Sequence, residues 1–162
     1  MNLQTKVKQN SNCAIFSRNY SEHLNEAIEI SSNNPRQPIT FRSSVAWSSA
    51  KLAVETHGQR KIYFAPVGDS NLVSYEGKLE KVELYPELSS QTAKDILQHC
   101  TQSTQEEGLW EEAGKIGVKT LYVISNCHKL TSPFPFTHLR KLIDSTPINE
   151  NFSYSYAVVY EM

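Results

Sequence analysis

Hydrophobic and polar positions divide the chain into short segments. Asn12-Cys13-Ala14-Ile15-Phe16-Ser17 has the compact apolar content of a short strand, whereas Met1 to Asn10 is polar and reads as a flexible tail. In Ser21-Glu22-His23-Leu24-Asn25-Glu26-Ala27-Ile28-Glu29-Ile30 the apolar residues Leu24, Ala27 and Ile28 fall on one helical face, with Ser21 able to cap the free amides. Pro35 and Pro38 end that periodicity and predict a loop, because each ring restricts the backbone and removes an amide donor. Trp47, Ala50 and Val54 share a face over 43–54 and predict a short helix, diluted by serines.

The middle of the chain carries the clearest β pattern. Lys61 to Pro66, Asn71 to Tyr75 and Lys78 to Tyr85 read as strands, and Gly68-Asp69 and Glu76-Gly77 read as the turns of two successive hairpins. Beyond Pro86, Ser90 predicts the cap of a helix with Ala93, Ile96, Leu97 and Cys100 on its apolar side. Thr104 to Glu107 forms a possible capping box ahead of Leu109 and Trp110. Lys119 to Asn126 predicts a buried strand, Thr137 caps a short helix with Leu139, Leu142 and Ile143, and Tyr154 to Tyr160 predicts a closing strand. Strands thus outnumber helices and several are adjacent. The pattern predicts a single α+β domain over 11–162, a small curved or barrel-like, mixed but mainly antiparallel sheet with peripheral helices.

Gly68-Asp69, followed by Tyr75-Glu76-Gly77-Lys78-Leu79-Glu80-Lys81-Val82-Glu83-Leu84-Tyr85-Pro86, resembles the PUA-like superfamily, particularly its EVE- and ASCH-type domains. In those domains a strand often ends at a Gly-Asp turn, and a following strand carries a Gly-led stretch toward a Tyr-Pro ending. This chain departs from the pattern by placing Leu72-Val73-Ser74 between the two turn signals. The resemblance implies a small barrel with peripheral helices, and a function in binding RNA or modified DNA bases, a few ASCH-type relatives being enzymes.

Composition narrows the electrostatics. With 16 Lys and Arg against 17 Asp and Glu, the formal net charge of -1 gives no broad field to steer polyanions, so recognition of a phosphate needs a local patch. The three cysteines, Cys13, Cys100 and Cys127, form no close metal-ligand pair and argue against a disulfide scaffold. Neither a signal-peptide core nor a membrane-length apolar run occurs, so a cytoplasmic or otherwise intracellular protein without a membrane partner is expected.

Candidate chemistry favours recognition over catalysis. Trp47, Tyr63, Phe64, Tyr154 and Tyr156 offer rings on which a single-stranded or extruded base can stack, Trp47 standing out because serines surround it. Asn71, Ser74 and Asn126 can read a base edge, while Arg42, Lys61, Arg140 and Lys141 can position phosphates. The expected partners are RNA, single-stranded DNA or a modified DNA base, with no cofactor, no metal and no catalytic residue; oligomeric state stays open. Two alternatives stand beside this reading. Asn126-Cys127-His128 can supply a thiol and an imidazole to a small hydrolase, and Thr131-Ser132-Pro133-Phe134-Pro135-Phe136-Thr137 can present a peptide- or protein-binding surface.

Overall fold

The computed structural model describes residues 1–68, 71–85, 95–102 and 118–162. Its strands are β1 (Cys13–Asn19), β2 (Ile39–Ser43), β3 (Arg60–Pro66), β4 (Leu72–Leu84), β5 (Thr120–Pro135) and β6 (Tyr156–Tyr160). They form one six-stranded sheet in the order β2-β5-β4-β3-β1-β6. Every neighbouring pair is antiparallel except β1 and β3. That parallel pair needs a crossover, supplied by helices α2 (Ser21–Asn33) and α3 (Ser48–His57) with β2 between them. The architecture is the predicted mixed, mainly antiparallel α+β sheet with peripheral helices. It does not close into a barrel: β2 and β6 share no ladder and meet through the Oγ atoms of Ser43 and Ser155, 2.7 Å apart.

Alternation along the strands fills a core on each face. Cys13 and Ile15 of β1, Ile62 and Phe64 of β3 and Val158 of β6 pack with the helices through Val7, Leu24, Ala27, Ala50 and Ala53. Ala14, Phe16, Tyr63, Ala65 and Val159 pack on the opposite face beneath Phe136, Leu139 and Ile148. Strands buried on both faces read as continuous apolar runs, which explains Cys13-Ala14-Ile15-Phe16.

Several local expectations are corrected. Residues 3–9 of the supposed tail form helix α1 (Leu3–Gln9), because Asn2 accepts from Thr5 N at 2.9 Å as an N-cap and Val7 is fully buried. Glu76-Gly77 is not a turn: β4 runs unbroken through it with a register shift between Glu76 and Lys78, so there is one hairpin where two were expected. Gly77 meets a different need, since a Cβ there would lie 3.2 Å from Ser125 O on β5. Gly68 does turn the chain after β3, at φ +83°, and Asp69 lies outside the described residues. Strand β5 continues through 127–135, beyond the predicted end of the strand at Asn126.

The late helix predicted from Thr137 is reduced to a 3-10 turn, Phe136–His138. Beyond it the backbone turns to the sheet edge instead: Leu142 N donates to Val158 O, Tyr160 N to Arg140 O and Ile148 N to Leu139 O. The opposite edge is covered too, with Thr40 N donating to His99 O. Of the helix predicted from Ser90, Ile96 packs with Leu121 and Val123; Ser90, Ala93 and the capping box at Thr104 lie outside the described residues.

Candidate functional site

The sheet opens where β1 and β2 end and β6 begins. Ser17 of β1 is buried and donates to Ser155 O at 2.8 Å, tying the start of β6 to the end of β1. The next residues, Arg18, Asn19 and Tyr20, lead toward α2, and Arg42 and Ser43 end β2. With Tyr122, Phe152 and Ser153 to Ser155 they enclose a cavity of about 470 Å³, within the size range of small-ligand sites. Tyr20 and Tyr154 on its wall are 57% and 58% exposed, unusual for large rings. Both charged residues among its described lining residues are arginines, Arg18 and Arg42.

Arg18 is held firmly. Its Nη2 donates to Pro66 O at 2.6 Å and its guanidinium lies 5.3 Å from the Phe136 ring centroid. Burial pulls its pKa down from the ordinary arginine value. Asn19 is oriented at both ends: Oδ1 accepts from Tyr20 N at 2.8 Å and Nδ2 donates to Tyr122 Oη at 3.3 Å. Burial pushes the Tyr122 phenol far up, so it stays protonated.

A column of rings stands behind the cavity. Tyr122 and Trp47 stack at 4.0 Å and 17°, Trp47 and Tyr156 at 5.0 Å and 24°, and Tyr156 and Tyr154 at 6.1 Å and 30°. The column runs from the buried Tyr122 to the exposed Tyr154, and both end rings line the cavity. Its middle is fastened through the backbone: Thr120 Oγ1 accepts from Trp47 N at 3.0 Å and donates to Val45 O at 2.7 Å. Tyr156 Oη accepts from Ser49 N at 3.2 Å in the first turn of α3.

The nine sequence candidates do not converge. Arg42 and Tyr154 line this cavity. Trp47 is fully buried with both faces occupied, and acts on the cavity indirectly, donating its indole N–H to Ser155 Oγ at 2.9 Å. Its indole and amide N–H groups bond to Ser155 and Thr120, not to the serines beside it in sequence. Lys61 and Asn126 line a second cavity of about 300 Å³ with Glu76, His128 and Glu161. There the Lys61 ammonium lies 3.2 Å from Glu76 and 3.4 Å from Glu161, an ion-pair role in place of a phosphate contact. Tyr63 is buried in the second core with its hydroxyl accepting from Met162 N at 3.0 Å. Ser74 lines a separate surface depression, Asn71 donates to Glu150 O at 3.3 Å, and exposed Arg140 donates to Ser145 O at 3.5 Å.

Arg18, Asn19, Tyr20, Ser43, Tyr122, Phe152 and Ser155 were not singled out by sequence reasoning. Ser17-Arg18-Asn19-Tyr20 carried a usable signal: a polar and aromatic run directly after a buried strand and before a helix, where binding residues concentrate in α/β connections.

Of the two alternatives, the pairing of Cys127 with His128 is not assembled. Cys127 sits in the helix-side core with its thiol pushed up to about 12 by burial, while His128 points outward and pairs with Glu76 at 3.1 Å. Successive strand residues face opposite sides, so these neighbours cannot share one site. In the Thr131–Thr137 stretch, Phe136 is buried against Phe16 at 5.3 Å, and Phe134 packs edge-on to Tyr63 at 6.1 Å and 78°. Among the described residues no group of His, Cys, Asp and Glu could hold a metal ion, and no helix is long and apolar enough to cross a membrane.

No family model matches the chain, and no curated protein matches it. Among solved structures it is similar to the N-terminal domain of Staphylothermus marinus McrB, at 12% identity and a TM-score of 0.37, covering 77% of each chain. This is a weak, partial structural resemblance that carries neither a family nor a ligand to this chain.

Proposed function

We propose that the chain is a cytoplasmic, PUA-like recognition module of the EVE or ASCH kind that takes a nucleobase, modified or extruded from RNA or DNA, into the cavity between β1, β2 and β6 without changing it chemically. The observation that supports this reading is the ring column, which ends at exposed Tyr154 on a cavity that Arg18 and Arg42 also line. A planar ligand laid on Tyr154 extends a stack whose inner members are locked by packing and hydrogen bonds, so little freedom is lost when it binds. The arginines supply donors suited to the phosphate on either side of that base. The near-neutral chain then binds through one local site, as its charge balance requires.

The test is fluorescence anisotropy with labelled single-stranded DNA, RNA and duplexes carrying single modified bases. Binding by the wild type, weakened in Tyr154→Ala by about 1–3 kcal/mol, the usual worth of one base stacked on one ring, is the expected result. Equal binding by Tyr154→Ala and wild type, or no binding to any probe, removes the reading.

A further inference from the structure

We infer that the cavity takes two consecutive nucleotides of a single strand, with the ring of Tyr20 as a second stacking surface beside that of Tyr154. The inference rests on reading the cavity as a nucleobase site and extends that reading from one base to two.

Tyr20 and Tyr154 are joined by rings as well as by the cavity that both line. At Tyr122, the inner end of the stacked column, a second row departs: Phe41 lies 5.7 Å from Tyr122, His23 6.1 Å from Phe41 and Tyr20 6.0 Å from His23. Phe41 and His23 are buried, whereas Tyr20 is exposed. The two rows together begin and end at exposed tyrosines on one cavity, and their inner rings are buried or half-buried. A base laid on either end meets a ring with packed support behind it.

Tyr20 sits where a different residue would serve its helix better. It is the N-cap of α2, a position at which Ser, Thr, Asp or Asn accepts a hydrogen bond from the first turn, and its side chain makes no such bond. Its backbone is nevertheless pinned. Tyr20 N donates to Asn19 Oδ1, and Tyr20 O accepts from the amides of His23 and Leu24, each at 3.1 Å. A ring that neither caps the helix nor enters the core breaks a local rule without a gain for the fold, and such departures are expected at functional sites.

The cavity also has length for two bases. It touches Tyr122 and Tyr154, the ends of a column whose steps are 4.0, 5.0 and 6.1 Å, so it runs beside three ring steps. Each step exceeds the rise of about 3.4 Å between stacked nucleotides on one strand. A base on Tyr154, where the rings behind it are stacked, leaves room for its neighbour, and Tyr20 is the other exposed ring on the wall.

The experiment uses the full chain and labelled DNA strands that are abasic except for no base, one base or two adjacent bases, in a thymine and an adenine series. The expected result is that the second base tightens binding about tenfold, the worth of one further stacked base. Tyr20→Ala should bring the two-base strand down to the one-base level while leaving the one-base affinity near wild type, and Tyr20→Trp should keep the increment. A second base that gains no more than about twofold, the advantage of having two bases to choose from, overturns the inference. So does an increment that survives in Tyr20→Ala, or a Tyr20→Ala that weakens the one-base strand as much as Tyr154→Ala does, since both rings then hold one base. Each of these outcomes leaves the base-site reading standing. No binding above the wholly abasic strand overturns the inference, and the base-site reading falls with it when the modified-base probes fail too. Should Tyr20→Ala not fold, Tyr20→Leu repeats the test with apolar bulk but no stacking face.

Discussion

The indole of Trp47 lies 4.0 Å from the ring of Tyr122 and within 17° of parallel to it, and is itself fully buried. Tyr156 closes the other side at 5.0 Å. Trp47 is therefore part of the framework that positions Ser155 and Tyr154. Trp47→Ala is expected to cost about 3–5 kcal/mol of stability, the range for deleting a large buried ring, read as a shift of the urea midpoint. Trp47→Phe keeps most of the packing but loses the donor to Ser155, and should cost less. A Trp47→Ala protein as stable as wild type would contradict the buried column.

Alkaline pH probes the core through its thiols. Burial raises Cys127 from 9.0 to about 12 and Cys100 from 9.0 to about 11. In the unfolded chain both ionise near their ordinary value, so above pH 9 the unfolded state binds fewer protons than the folded one. Stability is then fully present below pH 9 and falls as pH rises toward the folded values, with a slope approaching about 1.4 kcal/mol per pH unit for each thiol. Denaturant titrations between pH 7 and 11 check this, and Cys127→Ala should flatten the decline. In the native protein at pH 8, Cys127 should react with thiol reagents only as fast as the chain opens.

Much of the sheet was legible in the sequence because its strands keep an alternation that packing then uses. Ile62 and Phe64 go to one core and Tyr63 and Ala65 to the other, as a period of two demands. Strand β2 escaped notice because it is short and follows two prolines, although Ile39 and Phe41 alternate with Thr40 and Arg42 and both are buried. Glu76-Gly77 looked like a turn because glycine's freedom of backbone rotation and its lack of a side chain leave the same mark in a sequence; here the strand needs the second. The site was less legible still. Arg42, Trp47 and Tyr154 belong to one region, but what joins them is Ser155, a residue with no local signal, bonded across 108 positions to Trp47 and 112 to Ser43. Lys61 had the right charge for a phosphate and the wrong neighbours, two carboxylates from β4 and the C-terminal end.

Gly77 faces Ser125 O at 3.2 Å and the Cα of Cys127 at 3.6 Å, measured from where its Cβ would be. The obstacle is backbone of a paired central strand, which cannot rotate away as a side chain can. Gly77→Val is expected to destabilise by about 1–3 kcal/mol through overpacking, with Gly77→Ala intermediate. Thermal unfolding of the two variants checks the order. Equal melting temperatures for wild type and Gly77→Val would mean that β4 and β5 separate at the bulge with little cost.

Arg42 and Lys61 make opposite predictions about salt. Arg42 lines the cavity at the end of β2, whereas Lys61 is engaged by Glu76 and Glu161 at 3.2 and 3.4 Å. Each phosphate neutralised on a single strand contributes about 0.7 to the slope of log affinity against log salt, because a counterion is released. Replacing a residue that touches phosphate removes that increment and weakens different sequences alike. Arg42→Gln should therefore lower the slope by about 0.7 without changing the order of preferred bases. Lys61→Gln should leave the slope close to wild type, since its charge is already spent on carboxylates, and should instead loosen the end of the chain where Glu161 pairs. Anisotropy titrations of both variants from low to moderate salt measure the slopes. A lowered slope in Lys61→Gln with an unchanged one in Arg42→Gln would move the phosphate contact to the cavity at Glu76 and His128.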